Sequence, residues 1–330
     1  MRWPVEAPAP APAERTLTTA GIVGLGAVLP EEAVPSDVIA DRLGLAHGWI
    51  ERRTGIASRR RVAADARVSD LAADAARAAL ADASLDAADI DTVLVATLAP
   101  DEITPNTAPQ VAHAIGAGAA GAIDIGAACT GFVSGITVAA GLVESGRAEN
   151  VLVIGAEVMS RYTDYDDRST AGLFGDGAGA VVLAPRESGA IGRSVLGSDG
   201  AAAPFIIAPR ETALMRMDGH ETFKRAVRTL VNNAIETVAA NNLELDDIDL
   251  FVLHQANGRI TSAVREGLDV EAERVLDAIA EVGNTSAASI PLALATARER
   301  GLLHDGDKVL LGAVGAGFTW GAVVVEWGSA

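Results

Sequence analysis

One cysteine in 330 residues, Cys129, leaves the chain unable to close a disulfide within itself, and no Cys/His cluster has the spacing of a zinc site. A reducing cytoplasm is therefore the expected compartment, with no structural metal. Basic residues are also scarce. Lys and Arg total 26 against 44 Asp and Glu, a net charge of -18, and the few short basic clusters form no extended stripe. That balance argues against general nucleic-acid binding. Every apolar run is strand-length or interrupted by charge and glycine, so none is expected to span a bilayer. Residues 1–15 alternate Pro and Ala and lack the continuous apolar stretch of a secretory signal; they are expected to form a disordered or polyproline-like tail.

Two glycine patterns fall short of nucleotide signatures. Gly24-Leu25-Gly26 lacks the third glycine and the downstream acid of a dinucleotide site. FGDGAGAVVL, at Phe174 to Leu183, has no Gly-Lys-Ser/Thr, and its apolar continuation reads as a hairpin with close backbone packing.

What the chain does have is apolar content, 49%, enough for a large α/β core. It also has an internal repeat. A helix pattern over Val68 to Ala83 leads through Asp89-Ile90-Asp91 into an apolar strand, Thr92 to Leu98. A longer one over Glu221 to Asn241 leads through Asp247-Ile248-Asp249 into Leu250 to His254. The first copy continues with a helix, Thr130 to Ser145, a strand, Val151 to Ala156, and the glycine-rich hairpin. The second continues with a helix, Thr285 to Arg300, a strand, Lys308 to Ala313, and a hairpin, Gly315 to Trp327. Strands alternating with helices predict mostly parallel sheets covered by helices, in two βαβ-rich halves at 16–188 and 189–330.

The repeat aligns three chemistry-bearing residues. Cys129 stands where a strand-like run meets the helix at Thr130. There the macrodipole and unpaired amides would stabilise a thiolate and lower the thiol pKa. Asn284 precedes the corresponding helix of the second half, and His254 ends a second-half strand, where open α/β sheets place functional groups. Taken singly, Cys129 could be a buried core thiol, His254 a satisfied polar residue and Asn284 a helix cap. A pseudo-twofold that joins the two helix starts would bring all three to one cleft.

At these residues the chain resembles the β-ketoacyl-acyl-carrier-protein synthase III family of the thiolase superfamily. The marks are GWIERRTGI at Gly48 to Ile56, AACTGF at Ala127 to Phe132, FGDGAGA at Phe174 to Ala180, HQAN at His254 to Asn257, GNTSAASIP at Gly283 to Pro291 and GAGFTWG at Gly315 to Gly321. The resemblance covers nearly everything after the tail. It implies an α/β thiolase fold, two duplicated halves in a five-layered αβαβα arrangement, and a homodimer.

It also implies a mechanism. Cys129 takes the acyl group of an acyl-CoA by covalent catalysis. Side-chain N–H donors of His254 and Asn284 then hold the thioester of malonyl-acyl-carrier protein during decarboxylation. The resulting enolate condenses with the acyl group to give β-ketoacyl-carrier protein, CoA and CO2, as in the initiation of fatty-acid or polyketide synthesis. The oxyanion donors would be the backbone N–H groups of Cys129 and Ala316. The family usually has glycine where Ala316 stands, so a positive φ there would strain alanine; a tolerated change is expected. For CoA, the resemblance implies Trp49 and Arg168 around the adenine and Arg53 and Asn257 on pantetheine and phosphate. His220 occupies a position near the pantetheine arm where asparagine is common. Thr104 replaces a phenylalanine that often closes the acyl tunnel, which implies acceptance of primers longer than acetyl. Lys224 and Arg259 are candidate docking residues for an acidic carrier protein, a solvated helix face being the alternative. CoA thioester is a substrate, and no resident cofactor is implied.

A synthase-like acyltransferase that moves the acyl group to a hydroxyl or amine is the alternative. Cys, His and Asn also serve papain-like peptidases, but AACTGF lacks their local signature. A non-catalytic scaffold could have lost the thiol, which this chain keeps.

Overall fold

Strand and helix alternate along the chain as the hydrophobic periodicity predicts. The computed structural model describes residues 18–187 and 189–328, so the Pro/Ala-rich segment 1–15 lies outside the described residues. The first half holds strands β1 (Thr19–Val28), β2 (Glu32–Pro35), β3 (Ser58–Arg61), β4 (Thr92–Ala96), β5 (Gly121–Ile125), β6 (Val151–Val158) and β7 (Asp176–Arg186). Its helices are α1 (Ser36–Arg42), α2 (Trp49–Thr54), α3 (Val68–Ala83), α4 (Thr107–Ile115) and α5 (Gly131–Glu144). The second half holds β8 (Val195–Ser198), β9 (Ile206–Ile207), β10 (Arg216–Met217), β11 (Leu250–Leu253), β12 (Lys308–Gly315) and β13 (Thr319–Glu326). Its helices are α6 (Gly219–Ala240), α7 (Gly258–Leu268), α8 (Ile279–Val282) and α9 (Ser289–Glu299).

The two main sheets repeat one another. The first runs β1-β7-β6-β4-β5, with β4 parallel to both β5 and β6 and β7 antiparallel to β6 and β1. The second runs β8-β13-β12-β11, with β11 parallel to β12 and β13 antiparallel to β12 and β8. Where the first has β5, the second has only an isolated parallel bridge between Phe251 and Val275. β5 thus forms one edge of its sheet, with Ile123 52% exposed.

Burial follows the layers. β6 is buried at every position, the uninterrupted apolar run of a strand covered on both faces. α3 buries Val68, Leu71, Ala72, Ala75, Ala76 and Ala79, one stripe at helical spacing, and packs with α4 on the outside of the first sheet. α6 and α7 cover the outside of the second sheet. Between the sheets lie α5 and α9, both apolar on more than one side, as helices sandwiched in a core must be. The order is helix, sheet, helix, sheet, helix.

FGDGAGAVVL is not a hairpin. It lies mostly within one strand, β7, whose hydrogen-bonded neighbours are β6 and β1. Its glycines serve close packing: a Cβ on Gly179 would lie 2.7 Å from the Pro291 side chain of α9. The second-half segment is the hairpin expected, its turn joining Gly315 to Thr319 between β12 and β13.

Candidate active site

Both central helices begin with a tight turn, Ala128–Thr130 before α5 and Ser286–Ala288 before α9, and the turns pack against each other. Each opens on a non-glycine residue in the left-handed region, Ala128 at φ 45° and Ser286 at φ 49°. Such residues cost on the order of 1–3 kcal/mol and persist where surrounding structure enforces them. One position later the copies differ: the first presents Cys129, the second Ala287.

Cys129 is half-buried on the wall of a cavity of about 300 Å³ that His254, Asn284, Gly315 and Ala316 also line. The thiol environment reverses the expectation drawn from the helix start. Burial pushes its pKa up to about 12; the Ser286 hydroxyl pulls it down, and the Glu157 carboxylate raises it further. Leu98, Met159, Phe174 and Phe318 share the wall, so the helix-start amides act within an apolar pocket.

His254 follows β11 and is 2% exposed, its amide donating to the Gly312 carbonyl at 2.7 Å. Its Nδ1 lies 2.6 Å from Oγ of Ser289, the first residue of α9. That oxygen also accepts the Gln255 amide at 3.1 Å. Burial lowers the His254 pKa to about 4, so the ring is neutral near pH 7. Gln255 is spent on the fold: its Nε2 donates to the Leu253 and Leu276 carbonyls, and its Oε1 accepts the Ala278 amide.

Asn284 does make the turn bond expected of a cap, because its Oδ1 accepts the Ser286 amide at 2.9 Å. That bond orients the opposite end of the side chain. Nδ2 makes only a long contact, 3.5 Å, to the Ala256 carbonyl and keeps donor capacity at the cavity. Backbone bonds to Leu173 and Gly175 hold the residue in place.

The β12–β13 turn closes over Cys129. A Cβ on Gly315 would sit 2.9 Å from the Cys129 amide nitrogen, so only glycine lets that amide face an open space. Ala316 is not among the positive-φ residues, and alanine is unstrained there. Its amide makes no backbone hydrogen bond outside helices and strands among the described residues, and Ala316 lines the cavity together with Cys129.

Toward the mouth, Trp49, Arg53, Arg168, Asn257 and Arg259 line the same cavity. The Arg53 guanidinium stacks 4.5 Å over the Trp49 ring. Arg259 lies 5.9 Å over Phe223, and Asn257 caps α7 by accepting the Arg259 amide at 2.9 Å. Two expected positions are not brought in. His220 is exposed, because Gly219, Thr222, Phe223 and Ala226 make the cavity face of α6 and the next residue after Gly219 is turned roughly 100° away. Thr104 is exposed on the loop before α4, beside Ile103, and does not line the cavity of its own chain. Lys224 is also outside the cavity wall and pairs with Glu221 at 3.6 Å.

Ser289, Gln255 and Glu157 escaped notice in the sequence. Ser289 and Gln255 lie within GNTSAASIP and HQAN, but their roles depend on contacts across the fold. Among the described residues no cluster of His, Cys, Asp or Glu could hold a metal ion, and no helix is long and apolar enough to cross a membrane.

Comparison with known proteins shows the family. Residues 123–200 match the sequence model of 3-oxoacyl-[acyl-carrier-protein] synthase III, and residues 238–327 match that of its C-terminal region. A curated relative, β-ketoacyl-[acyl-carrier-protein] synthase III 2 of Streptomyces coelicolor, is 46% identical over 94% of both chains. The crystal structure of 3-oxoacyl-(acyl carrier protein) synthase III from Pseudomonas aeruginosa superposes with a TM-score of 0.90 at 42% identity, covering 94% of this chain and 99% of that one. The priming β-ketosynthase of the R1128 polyketide pathway superposes with a TM-score of 0.90 at 33% identity, covering 97% of this chain and 100% of that one. With this thiolase fold and this arrangement of Cys129, His254 and Asn284, the chain belongs to the β-ketoacyl-[acyl-carrier-protein] synthase III family.

Proposed function

We infer that the chain is a condensing acyltransferase that joins an acyl-CoA primer to malonyl-acyl-carrier protein and so starts a fatty-acid or polyketide chain. The observation that carries this reading is the convergence of one thiol, two neutral side-chain N–H donors and two backbone amides in a single cavity with aromatic and cationic residues at its mouth. Cys129 attacks the primer thioester, CoA leaves, and the acyl group stays on sulfur. The amides of Cys129 and Ala316 stabilise the oxyanion of that step. Malonyl-carrier protein then enters, and Nε2–H of His254 with Nδ2–H of Asn284 holds its thioester carbonyl while CO2 departs. Decarboxylation supplies the carbanion without a strong base, so a neutral histidine suffices. No resident cofactor is needed, because the CoA thioester carries the activated acyl group.

Trp49, Arg53, Arg168 and Asn257 hold CoA, with Arg53 in the stacking position on Trp49. Arg259 at the cavity mouth and Lys224 beyond it receive the acidic carrier protein. The protein works in the cytoplasm as a homodimer of chains divided near residue 189. The open edge of β5 and exposed Ile123 are a natural pairing surface. Thr104 lies on the loop before α4, whose first amides at Thr107 and Ala108 are held by Asp124 of β5, so this residue reaches an acyl tunnel across such a pair.

The test is intact-protein mass spectrometry after mixing with acetyl, isobutyryl, hexanoyl and decanoyl CoA, with a Cys129→Ser control, followed by malonyl-carrier protein. An adduct on Cys129 that clears as β-ketoacyl-carrier protein forms is the expected result. An adduct that survives malonyl-carrier protein and clears with an alcohol or amine would make the chain a transferase instead.

A further inference from the structure

Behind the nucleophile lies a buried carboxyl group that the steps above do not use. Glu157, on β6, is 0% exposed. Its carboxyl group accepts the Ser286 hydroxyl at 2.8 Å, the Leu98 amide at 3.1 Å, the Thr97 hydroxyl at 3.2 Å and the Ala287 amide at 3.4 Å. These partners are all neutral. A carboxyl group buried without a cation is costly, and an apolar side chain would fill the space more cheaply. The Ser286 side chain also lies beside the Cys129 sulfur, whose pKa it lowers. It therefore stands between the thiol and the carboxylate, on the turn that packs against the nucleophile's own. The titratable groups that face Glu157 are Cys129, from the turn before α5, and Tyr162, from the turn after β6. Its charge raises the pKa of both.

We propose that Cys129, Ser286 and Glu157 form a proton relay for acyl transfer, a role that rests on the condensing reading above. As sulfur bonds to the primer carbonyl carbon, the thiol hydrogen passes to the Ser286 oxygen and the Ser286 hydrogen passes to the Glu157 carboxylate. The bond from that carbon to the CoA sulfur then breaks, and CoA departs as thiolate. The proton returns from Glu157 through Ser286 to the CoA sulfur, giving CoA thiol and restoring the carboxylate. Glu157 touches no reacting atom and acts through Ser286. Burial places its pKa at about 7, so it is ionised on the alkaline side of neutrality and basic enough to take a proton. A thiol at about 12 does not ionise there unaided.

The experiment follows Cys129 acylation by hexanoyl-CoA, read by quenched-flow mass spectrometry, and Cys129 alkylation by iodoacetamide, each across pH. In the wild type both rates rise to a plateau with a midpoint near 7. In Glu157→Gln the inflection disappears and acylation at neutral pH slows about 100-fold. Ser286→Ala behaves alike, and the double variant is no slower than either single one. A wild-type profile without an inflection between about pH 6 and about pH 8 overturns the relay with no variant needed, as does a Glu157→Gln enzyme that keeps the wild-type inflection. Alkylation needs no acyl substrate. A wild type that alkylates with the inflection but takes no acyl group from CoA would sink the condensing reading and leave the relay standing.

Discussion

The Ser289 hydroxyl oxygen lies 2.6 Å from Nδ1 of His254 and also receives the Gln255 amide, so one atom of α9 orients both the histidine ring and the chain that carries it. Ser289→Ala removes this anchor and leaves Cys129 untouched. The condensation half-reaction is expected to slow about 10-fold, the worth of one hydrogen bond, while the acyl-enzyme forms at its normal rate. Separate single-turnover measurements of the two half-reactions check this; equal slowing of both would contradict it.

Gly315 leaves room for the amide of Cys129. Gly315→Ala puts a methyl 2.9 Å from that nitrogen and displaces one oxyanion donor. The expected loss is about 2.7–4 kcal/mol of transition-state stabilisation, roughly a 100- to 1000-fold fall in kcat, with the KM for acyl-CoA little changed. Steady-state kinetics decide it, since a variant that loses affinity but keeps kcat would place the damage at the CoA mouth.

Two buried groups bend the stability curve in opposite directions. Glu157 has a folded pKa of about 7, above the ordinary carboxyl value of 4.5, so its stability contribution falls as pH rises through that window. His254 has a folded pKa of about 4, below the ordinary imidazole value of 6.5, so its contribution falls as pH drops from about 6.5 to about 4. Glu157→Gln removes the first effect. Relative to wild type, the variant should gain about 2.5 kcal/mol between pH 5 and pH 8, whatever constant offset the substitution adds. Urea unfolding of both proteins at the two pH values reads this difference, and a constant gap between them would count against a buried, raised carboxyl.

Arg259 lies at the cavity mouth, while Lys224 is held by Glu221 outside it. Arg259→Glu combined with Lys224→Glu should raise the KM for malonyl-carrier protein steeply at low salt, and much less at high salt. The rate of Cys129 acylation from CoA serves as the control. An unchanged carrier KM would remove this face as the docking site.

Much of the architecture was legible because it rests on periodicity. The stripe of α3 fixes Val68–Ala83 with both ends where the pattern stops, and the repeat of helix, Asp-Ile-Asp turn and strand anticipates two matching sheets. Local chemistry was read less well. The helix-start argument for Cys129 omitted what the rest of the fold places around the sulfur, and burial reversed the sign. His220 is adjacent in sequence to a cavity residue but turned away by the helix. Glu157 sits in an apolar strand pattern, VLVIGAEV, where its partners come from two distant segments that no local spacing announces.

The missing fifth strand of the second sheet limits how copies can add. β5 is an open edge in the first half, while the corresponding place in the second is reduced to the single Phe251–Val275 bridge. Among the described residues one chain therefore has one exposed edge of this kind, since β11 at the end of the second sheet is buried at every position. Two copies that join β5 to β5 about a twofold axis would use both edges at once and leave none of the same kind to recruit a third, so growth by this contact stops at a closed pair and cannot run on as a fibre.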